Sequence, residues 1–392
     1  MEGFAIVSKG IEDTAVAEIK ELIKADSSPK EGCVIFQFKT FEELCLLCYK
    51  LQSVVRVAYL LDNFEFQFFF EEFEKFIANI EKSDLGKWVK KNKKFRVECV
   101  RLGAHDFNSV DVEQKAAAFI LAALKSKEIK ADVKSDIKSY DITFLVYIVN
   151  SICYFGVDFC GFEMNKRHYK IFLHPNSLRG TIGYALVRES GFGKKETMLD
   201  PFSRDGVIPI EAALFASGFP CNYYKKARFA FLKLDIGVDF EQFFSRCDEG
   251  IKSSRIGIKT GIYSYDYSFK YVNYSKKNAK IAGVDKQINF SRVELEWLDI
   301  KFKKESVDRI IANPPASKGP NLDKLYNEMF YQANYILKNN GTVALILRTP
   351  YFPDLAKKHA AKHDFLILKE KNVRSGQQLL KIIVFRKEMS TA

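Results

Sequence analysis

VDRIIANPPASKGP, residues 307–320, is a short apolar strand that runs into an asparagine and two consecutive prolines. Prolines donate no backbone hydrogen bond and hold φ fixed, so Pro314 and Pro315 lock the Asn313 side chain and the neighbouring carbonyls into a rigid array of acceptors. Such an array suits an exocyclic amine. If Asn313 Oδ1 and the Pro314 carbonyl accept the two amine hydrogens, the nitrogen lone pair is drawn out of conjugation and aimed at an electrophile, and no strong base is needed. The alternative is a strand stopped by Pro-Pro in a solvent loop. The residue that follows the prolines is only Ala316.

Around this strand, from about residue 170 onward, strands and helices alternate. TMLDPF (197–202) is an apolar strand, VIPIEAALFASG a helix closed by Gly218, and GIYSYD a second strand. SFKYVNYSKKNAKIAG is a helix, INFSRVELEWLD a third strand, VDRIIA the fourth, and GTVALILR the fifth after another helix. FLILKE and LLKIIVFRK close the chain as an antiparallel pair. This alternation predicts a mostly parallel sheet covered on both faces, with ligands bound beyond the carboxyl ends of the strands where strand order switches.

The strand ends carry the candidate residues. Strand one ends at Asp200 in DPFSRDG, a polar turn with Gly206 that opens a helix and suits a carboxylate or phosphate. Asp266 ends strand two, placed for the two ribose hydroxyls of a nucleoside cofactor, with Asn278 twelve residues on; Asp299 ends strand three, placed for an adenine amine. Each acid alone also reads as an exposed turn residue. Three acids at three successive strand ends point to a cofactor.

Upstream, FAIVSKG, GCVIFQFK and VVRVAYLLDNF read as strands separated by helices, and a second such unit follows in residues 66–165. These elements carry no nucleophile, base or phosphate loop and read as a binding module. RLGAHDFNSVDVE places a glycine and polar donors before a helix start, where Arg101 and free NH groups can meet a phosphate; the alternative is an ordinary cap at Ser109 or Asp111.

At 392 residues and 47% hydrophobic content, the chain can hold two or three domains with proper cores. Its formal charge of +12, with lysines spread along the chain, makes an acidic polymer the partner to expect, against a merely Lys-rich solvated surface. No apolar run approaches the roughly 18 residues of a membrane span, and MEGFAIVSKG lacks the basic region and apolar core of a signal peptide, so a soluble, cytoplasmic protein is expected. The eight cysteines lie in apolar contexts and read as reduced core residues. Cys45 and Cys48 form a CxxC without a second pair, and His359 and His363 have zinc-ligand spacing without an intervening Glu, reading instead as a solvated basic face; no metal is expected.

The run FRVECVRLGAHDFNSVDVEQKAAAFI resembles the RNA-binding THUMP domain, and residues 1–65 resemble the ferredoxin-like domain that precedes it. HPNSLRGTIGYALVRESGF, DPFSRDGVIPIEAALFASG, RFAFLKL and IIANPPA follow in the order and spacing of THUMP-containing class I S-adenosylmethionine-dependent guanine-N2 methyltransferases, most similar to the archaeal enzymes acting on the tRNA acceptor stem. The resemblance covers nearly the whole chain. It implies a ferredoxin-like domain over 1–65, a THUMP domain over 66–165, and a Rossmann-like methyltransferase domain with a seven-stranded sheet over 166–392. It implies S-adenosylmethionine as cofactor, held by Asp200, Ser203, Arg204, Gly206, Asp266 and Asp299; Asn313, Pro314 and Pro315 as catalytic residues; and tRNA as partner, met by Arg101, His105, Asn108, Lys166 and Arg167, with the protein working as a monomer. Two departures stand out. The family's cofactor loop reads DPxCGSGT, whereas Ser203, Arg204, Asp205, Gly206 and Val207 stand here; and Ala316 replaces the aromatic that stacks on an extruded base. Tyr351 or Phe352 is the candidate replacement ring, and Arg204 and Asp205 could serve the carboxylate and ammonium of the cofactor's methionine end. The rival expectation is a THUMP/methyltransferase-fold protein that binds RNA without turnover; DNA amino methylation, which also uses NPP, fits the THUMP resemblance less well.

Overall fold

The structure, a computed structural model, describes residues 1–80, 85–89, 93–126, 132–133, 139–249, 261–315 and 321–388. Ala316 therefore lies outside the described residues. Two compact units are present, one built from Met1–Val7, Ala15–Met164 and Lys225–Cys247, the other from Ser8–Thr14, Asn165–Tyr224 and Asp248–Ala392.

The first unit is organised on eight strands: β1 (Glu2–Val7), β2 (Ser27–Lys30), β3 (Cys33–Gln37), β4 (Val54–Glu65), β5 (Lys94–Leu102), β6 (Asp132–Val133), β7 (Ile142–Val149) and β8 (Ile152–Asp158). They form one sheet of order β2-β3-β1-β4-β8-β7-β5-β6. The boundary expected near residue 65 falls at the end of β4, which pairs antiparallel with β1 on one edge and β8 on the other. The ferredoxin-like and THUMP segments thus share a single sheet. The parallel β5–β7 pairing is made possible by the crossover helix Ser109–Ser126, since parallel neighbours cannot be joined by a hairpin. Helix Phe41–Lys50 starts at Thr40, whose side chain accepts from Glu43 N, and buries Leu44, Cys45, Leu47 and Cys48 together. Cys45 and Cys48 are neighbours on that buried face, where burial pushes both thiols up. Lys225–Cys247 was expected in the C-terminal domain but packs in this unit: Ala230 N donates to Cys160 O (3.1 Å) and Phe231 N to Phe159 O (3.2 Å).

The second unit carries β9 (Thr197–Asp200), β10 (Gly261–Asp266), β11 (Ile288–Arg292), β12 (Val307–Ala312), β13 (Leu337–Arg348), β14 (Phe365–Ser375) and β15 (Gln378–Lys387). Their order, β11-β10-β9-β12-β13-β15-β14, makes a seven-stranded sheet in which β15 alone runs opposite to the other strands. The first strand of the unit, β9, lies between β10 and β12, so strand order reverses there and a crevice opens at the carboxyl ends. Beneath it, Leu199, Ile310, Val343, Leu345 and Ile383 pack with Phe330 and Phe385 into a dry core. The second unit thus has the mostly parallel α/β sheet that the strand and helix alternation predicts.

One strand stops early. β11 ends at Arg292, and Leu295–Trp297 and Leu298–Lys301 are short helical turns from which Leu295 and Leu298 face the core, after Val293 has done so from the irregular link. Asp299 therefore does not end a strand. It is exposed, and its backbone NH donates to Gln332 Oε1 at 3.0 Å.

Candidate functional site

The loop after β9 is shaped by its own side chains. Asp200 is 1% exposed and accepts from Phe202 N (3.0 Å), while Ser203 N donates to Tyr265 O (2.9 Å). Arg204 takes a left-handed φ of 51°, uncommon for a residue with a Cβ, and its backbone NH donates to Asp266 Oδ2 at 3.0 Å. Asp266 Oδ1 accepts from Ser268 N at 2.9 Å, so the end of β10 fixes the loop after β9. Gly206 (φ 85°) caps helix Val207–Ser217, and a Cβ there would lie 2.2 Å from Ser275 Oγ; only glycine fits. Asn278, fully buried, ties the loop to the preceding segment by donating to Asp205 O (2.9 Å) and Phe172 O (2.8 Å) and accepting from Phe172 N (3.1 Å).

Charge is concentrated here. Burial pushes the carboxyls of Asp200, Asp205 and Asp266 above the ordinary carboxylate range, with the Arg204 guanidinium pulling Asp200 and Asp266 back. That guanidinium, itself buried, donates from Nη2 to the Pro314 carbonyl (2.9 Å) and from Nη1 to the Asn176 carbonyl (3.2 Å). Asn313 Nδ2 donates to the same Asn176 carbonyl (3.3 Å), which leaves Oδ1, on the other arm of the amide, turned away from it. Asn176 is held in turn by Arg348 Nη2 on its Oδ1 (2.6 Å) and by its NH on His174 Nδ1 (2.9 Å). His174 stays neutral, its pKa lowered to about 4 by burial and by Arg204 and Lys270. Asn176, Leu178, Asp200, Phe202, Ser203, Arg204, Asp205, Val207, Ile208 and Asn313 surround a cavity of about 10 Å³, room for one water.

Asn313, Pro314, Asp200, Ser203, Arg204 and Asp266 therefore come together, with Pro315 next in the chain. Asp299 stands apart, and the acid just past the end of β11 is Glu294, which lines a larger cavity of about 320 Å³ with Arg292, Val293, Trp297 and Lys301. Phe352 is buried in the core beneath the sheet, which removes it as a base platform, whereas Tyr351, three residues beyond β13, is 51% exposed. Asp205 accepts from His174 N at 3.5 Å and so faces the 174–177 segment. Asn176, Arg348 and His174 were not anticipated, because a backbone carbonyl and its supports leave no signature in sequence. Tyr326 is buried in the core, and its hydroxyl, like Ser203 Oγ, has no hydrogen-bond partner among the described residues.

The residues expected to meet RNA divide. Arg101 donates to Ser109 Oγ (3.1 Å) and to Phe107 O, and His105 Nε2 lies 2.7 Å from Asn150 O. Asn108 supplies the helix cap expected of Ser109 or Asp111: its Oδ1 accepts from Asp111 N at 3.0 Å. All three line the turn before helix Ser109–Ser126, and Lys166 is exposed. Arg167 is different. Its side chain and that of Glu211 are fully buried in an ion pair (2.7 and 3.0 Å) completed by Tyr169 OH on Glu211 (2.7 Å), so it faces no RNA. His359 likewise is 2% exposed and sits 3.0 Å from Asp323 Oδ1, rather than on a solvated face.

A seven-stranded sheet of this order, with acids at the ends of β9 and β10 and an Asn-Pro-Pro turn at the end of β12, defines a class I methyltransferase acting on an amino group. The match to known proteins narrows this. Residues 167–381 match the family model described as RMKL-like, methyltransferase domain, and residues 70–158 match the THUMP domain. The chain is 30% identical over 305 residues to the tRNA (guanine(6)-N2)-methyltransferase of Methanocaldococcus jannaschii, covering 76% of this chain and 77% of that protein. It is 24% identical over 390 residues to the protein of the same name from Archaeoglobus fulgidus, covering 97% and 91%. In three dimensions it is similar to SMU.472 in its complex with SAH (TM-score 0.77, 17% identity, 100% and 99% covered), and to TrmN from Thermus thermophilus (TM-score 0.70, 21% identity, 99% of each chain). The chain belongs to the THUMP-containing RMKL-like methyltransferase family, whose cofactor is S-adenosylmethionine.

The donor set fits that cofactor. Buried carboxylates at the ends of β9 and β10 suit an ammonium and a ribose, Ser203 Oγ is an orphaned polar atom beside them, and the cavity at Val293 and Trp297 adjoins the end of β10, where Val293 N donates to Asp266 O at 3.1 Å. What the observed Arg204 rotamer leaves beside Asp200 is room for one water.

Proposed function

We propose that the protein methylates N2 of a guanine in the acceptor stem of tRNA, at the sixth nucleotide, acting as a cytoplasmic monomer. The observation that carries this reading is the Asn313 and Pro314 acceptor pair set at the switch point beside Asp200 and Asp266, and the names of the relatives supply the RNA and the base.

Asp266, at the end of β10, would accept from the ribose hydroxyls of the cofactor, and Asp200 would take its ammonium. When bound, S-adenosylmethionine supplies an electrophilic methyl group. Asn313 Oδ1 and the Pro314 carbonyl hold the two hydrogens of the guanine amine, so its lone pair turns out of the ring's conjugation and toward the methyl. Asn176 fixes which arm of the Asn313 amide faces the base, because its carbonyl occupies Nδ2. As the new N–C bond forms, the methyl–sulfur bond would break with its electron pair left on the departing thioether, and the amine proton, acidic only then, leaves to solvent; His174 Nδ1 is already engaged by Asn176 N. Arg101 at the end of β5 and His105 and Asn108 in the turn that follows it, with Lys166, hold the RNA backbone through phosphate contacts, and Tyr351 offers its face to the extruded base.

The rival, an RNA-binding protein without turnover, draws on one observation, the Arg204 guanidinium seated on the Pro314 carbonyl. Mass spectrometry of nucleosides from tRNA of a strain lacking the gene separates the two: loss of N2-methylguanosine is expected, and an unchanged nucleoside profile contradicts the enzyme.

A further inference from the structure

We infer that Arg204 is a plug that sets the order of binding: its guanidinium occupies the place of the target amine until the cofactor displaces it. The inference rests on the proposed function, because it takes the Pro314 carbonyl as an amine acceptor.

Three observations carry it. Arg204 Nη2 donates to the Pro314 carbonyl at 2.9 Å, the contact a guanine amine needs, and Nη1 holds the Asn176 carbonyl at 3.2 Å, which also anchors Asn313. A guanidinium and a 2-amino purine edge both present planar NH groups, so the arginine imitates the substrate at its own acceptor. Next, the loop is built to hold that side chain in place: the Arg204 backbone sits at φ 51°, fixed by its NH on Asp266 Oδ2, and the residue is 7% exposed. Finally, the space left beside Asp200, Ser203 and Asn313 is about 10 Å³, too little for any part of a cofactor beyond one water-sized group.

The displacing force is chemical. The Arg204 guanidinium rests on neutral carbonyls at this end, and a ligand bringing a carboxylate offers it a stronger, bidentate partner. A ligand bringing an ammonium likewise offers Asp200 a replacement for the cation it loses. A nucleobase brings neither. Arg204 therefore yields to the cofactor and not to the base, and the Pro314 carbonyl becomes available to RNA only afterwards.

The test uses the full-length protein with 5′-methylthioadenosine, the nucleoside thioether that lacks the carboxylate and ammonium, and with S-adenosylhomocysteine. In calorimetry without RNA, Arg204→Gly is expected to bind 5′-methylthioadenosine about tenfold more tightly than wild type, since nothing must be displaced, no Arg204–carboxylate pair is lost, and glycine accepts the left-handed backbone. Equal or weaker binding by the variant overturns the plug, and because no RNA is present this result is independent of the substrate assigned above. A second measurement needs only the wild type, in case the variant folds poorly. A tRNA transcript carrying 2-aminopurine at the sixth nucleotide keeps the 2-amino group and fluoresces when unstacked. The signal is expected to rise only when S-adenosylhomocysteine is also present; a rise with protein alone overturns the proposed order.

Discussion

Replacing Asn313 with alanine removes one of the two acceptors assigned to the guanine amine and leaves the other, the Pro314 carbonyl, in place. The fold should tolerate the change. The hydrogen bond lost, Asn313 Nδ2 to Asn176 O, is long at 3.3 Å, and the same carbonyl keeps its bond from Arg204 Nη1, so no polar group is orphaned and the stability cost stays below about 1 kcal/mol. The chemical cost is larger, because Oδ1 contributes most as charge builds on the amine nitrogen. Losing one preorganised electrostatic partner of this kind costs about 100- to 1,000-fold in turnover, or ~3–4 kcal/mol. Binding should change little, since Oδ1 is needed mainly in the transition state. Single-turnover methyl transfer to tRNA, with gel-shift and calorimetric affinities measured alongside, reads both quantities. The expected pattern is a single-turnover rate down by at least 100-fold with RNA and S-adenosylhomocysteine affinities within about threefold of wild type. A rate within threefold of wild type refutes the acceptor role, and an equal loss in affinity shows that the side chain serves binding instead.

Arg167→Met should destabilise the protein by ~3–5 kcal/mol in urea melts, because it strands the buried Glu211 carboxylate, while the folded fraction binds tRNA as before; weaker RNA binding with unchanged stability would return Arg167 to the RNA surface. Asp200→Asn should raise the melting temperature at about pH 8. Burial raises the Asp200 pKa, so this group's contribution to stability is present at low pH and lost as pH rises through the folded pKa; the variant's advantage should fade toward about pH 4. An advantage that grows on acidification contradicts that sign. Cutting the chain to residues 166–392 should give an aggregating product, since Phe229 and Phe231, 2% and 0% exposed, lose the unit they pack in. A soluble fragment with a cooperative melt would show that Lys225–Cys247 repacks.

The sheet and its order of elements were legible because each strand of the second unit is an apolar run cut off by a polar turn, and Asp200, Asp266 and Asn313 stand where those runs stop. INFSRVELEWLD misled because Val293, in an irregular link, and Leu295 and Leu298, in helical turns, continue the apolar spacing and carry the apparent strand end past Arg292 to Asp299. Arg167 was placed against RNA by the family resemblance and not by any local pattern. The contrary signal was Glu211, a single acid inside the apolar helix VIPIEAALFAS, which needs a buried cation. Segment 225–247 gave warning through Phe229, Phe231, Phe240, Phe243 and Phe244, but its packing partners, Tyr49 among them, lie far away in sequence and no local pattern names them. Asn176 was illegible for a different reason: its role rests on a backbone carbonyl that any residue could supply.

The account's central claim is tested most directly by methylating an unmodified tRNA transcript with the purified protein and S-adenosylmethionine, then mapping the product by mass spectrometry. The account expects N2-methylguanosine at the sixth nucleotide of the acceptor stem, and no product when that guanine is replaced by adenine. Methylation of another base, or tight tRNA binding with no methyl transferred, contradicts it.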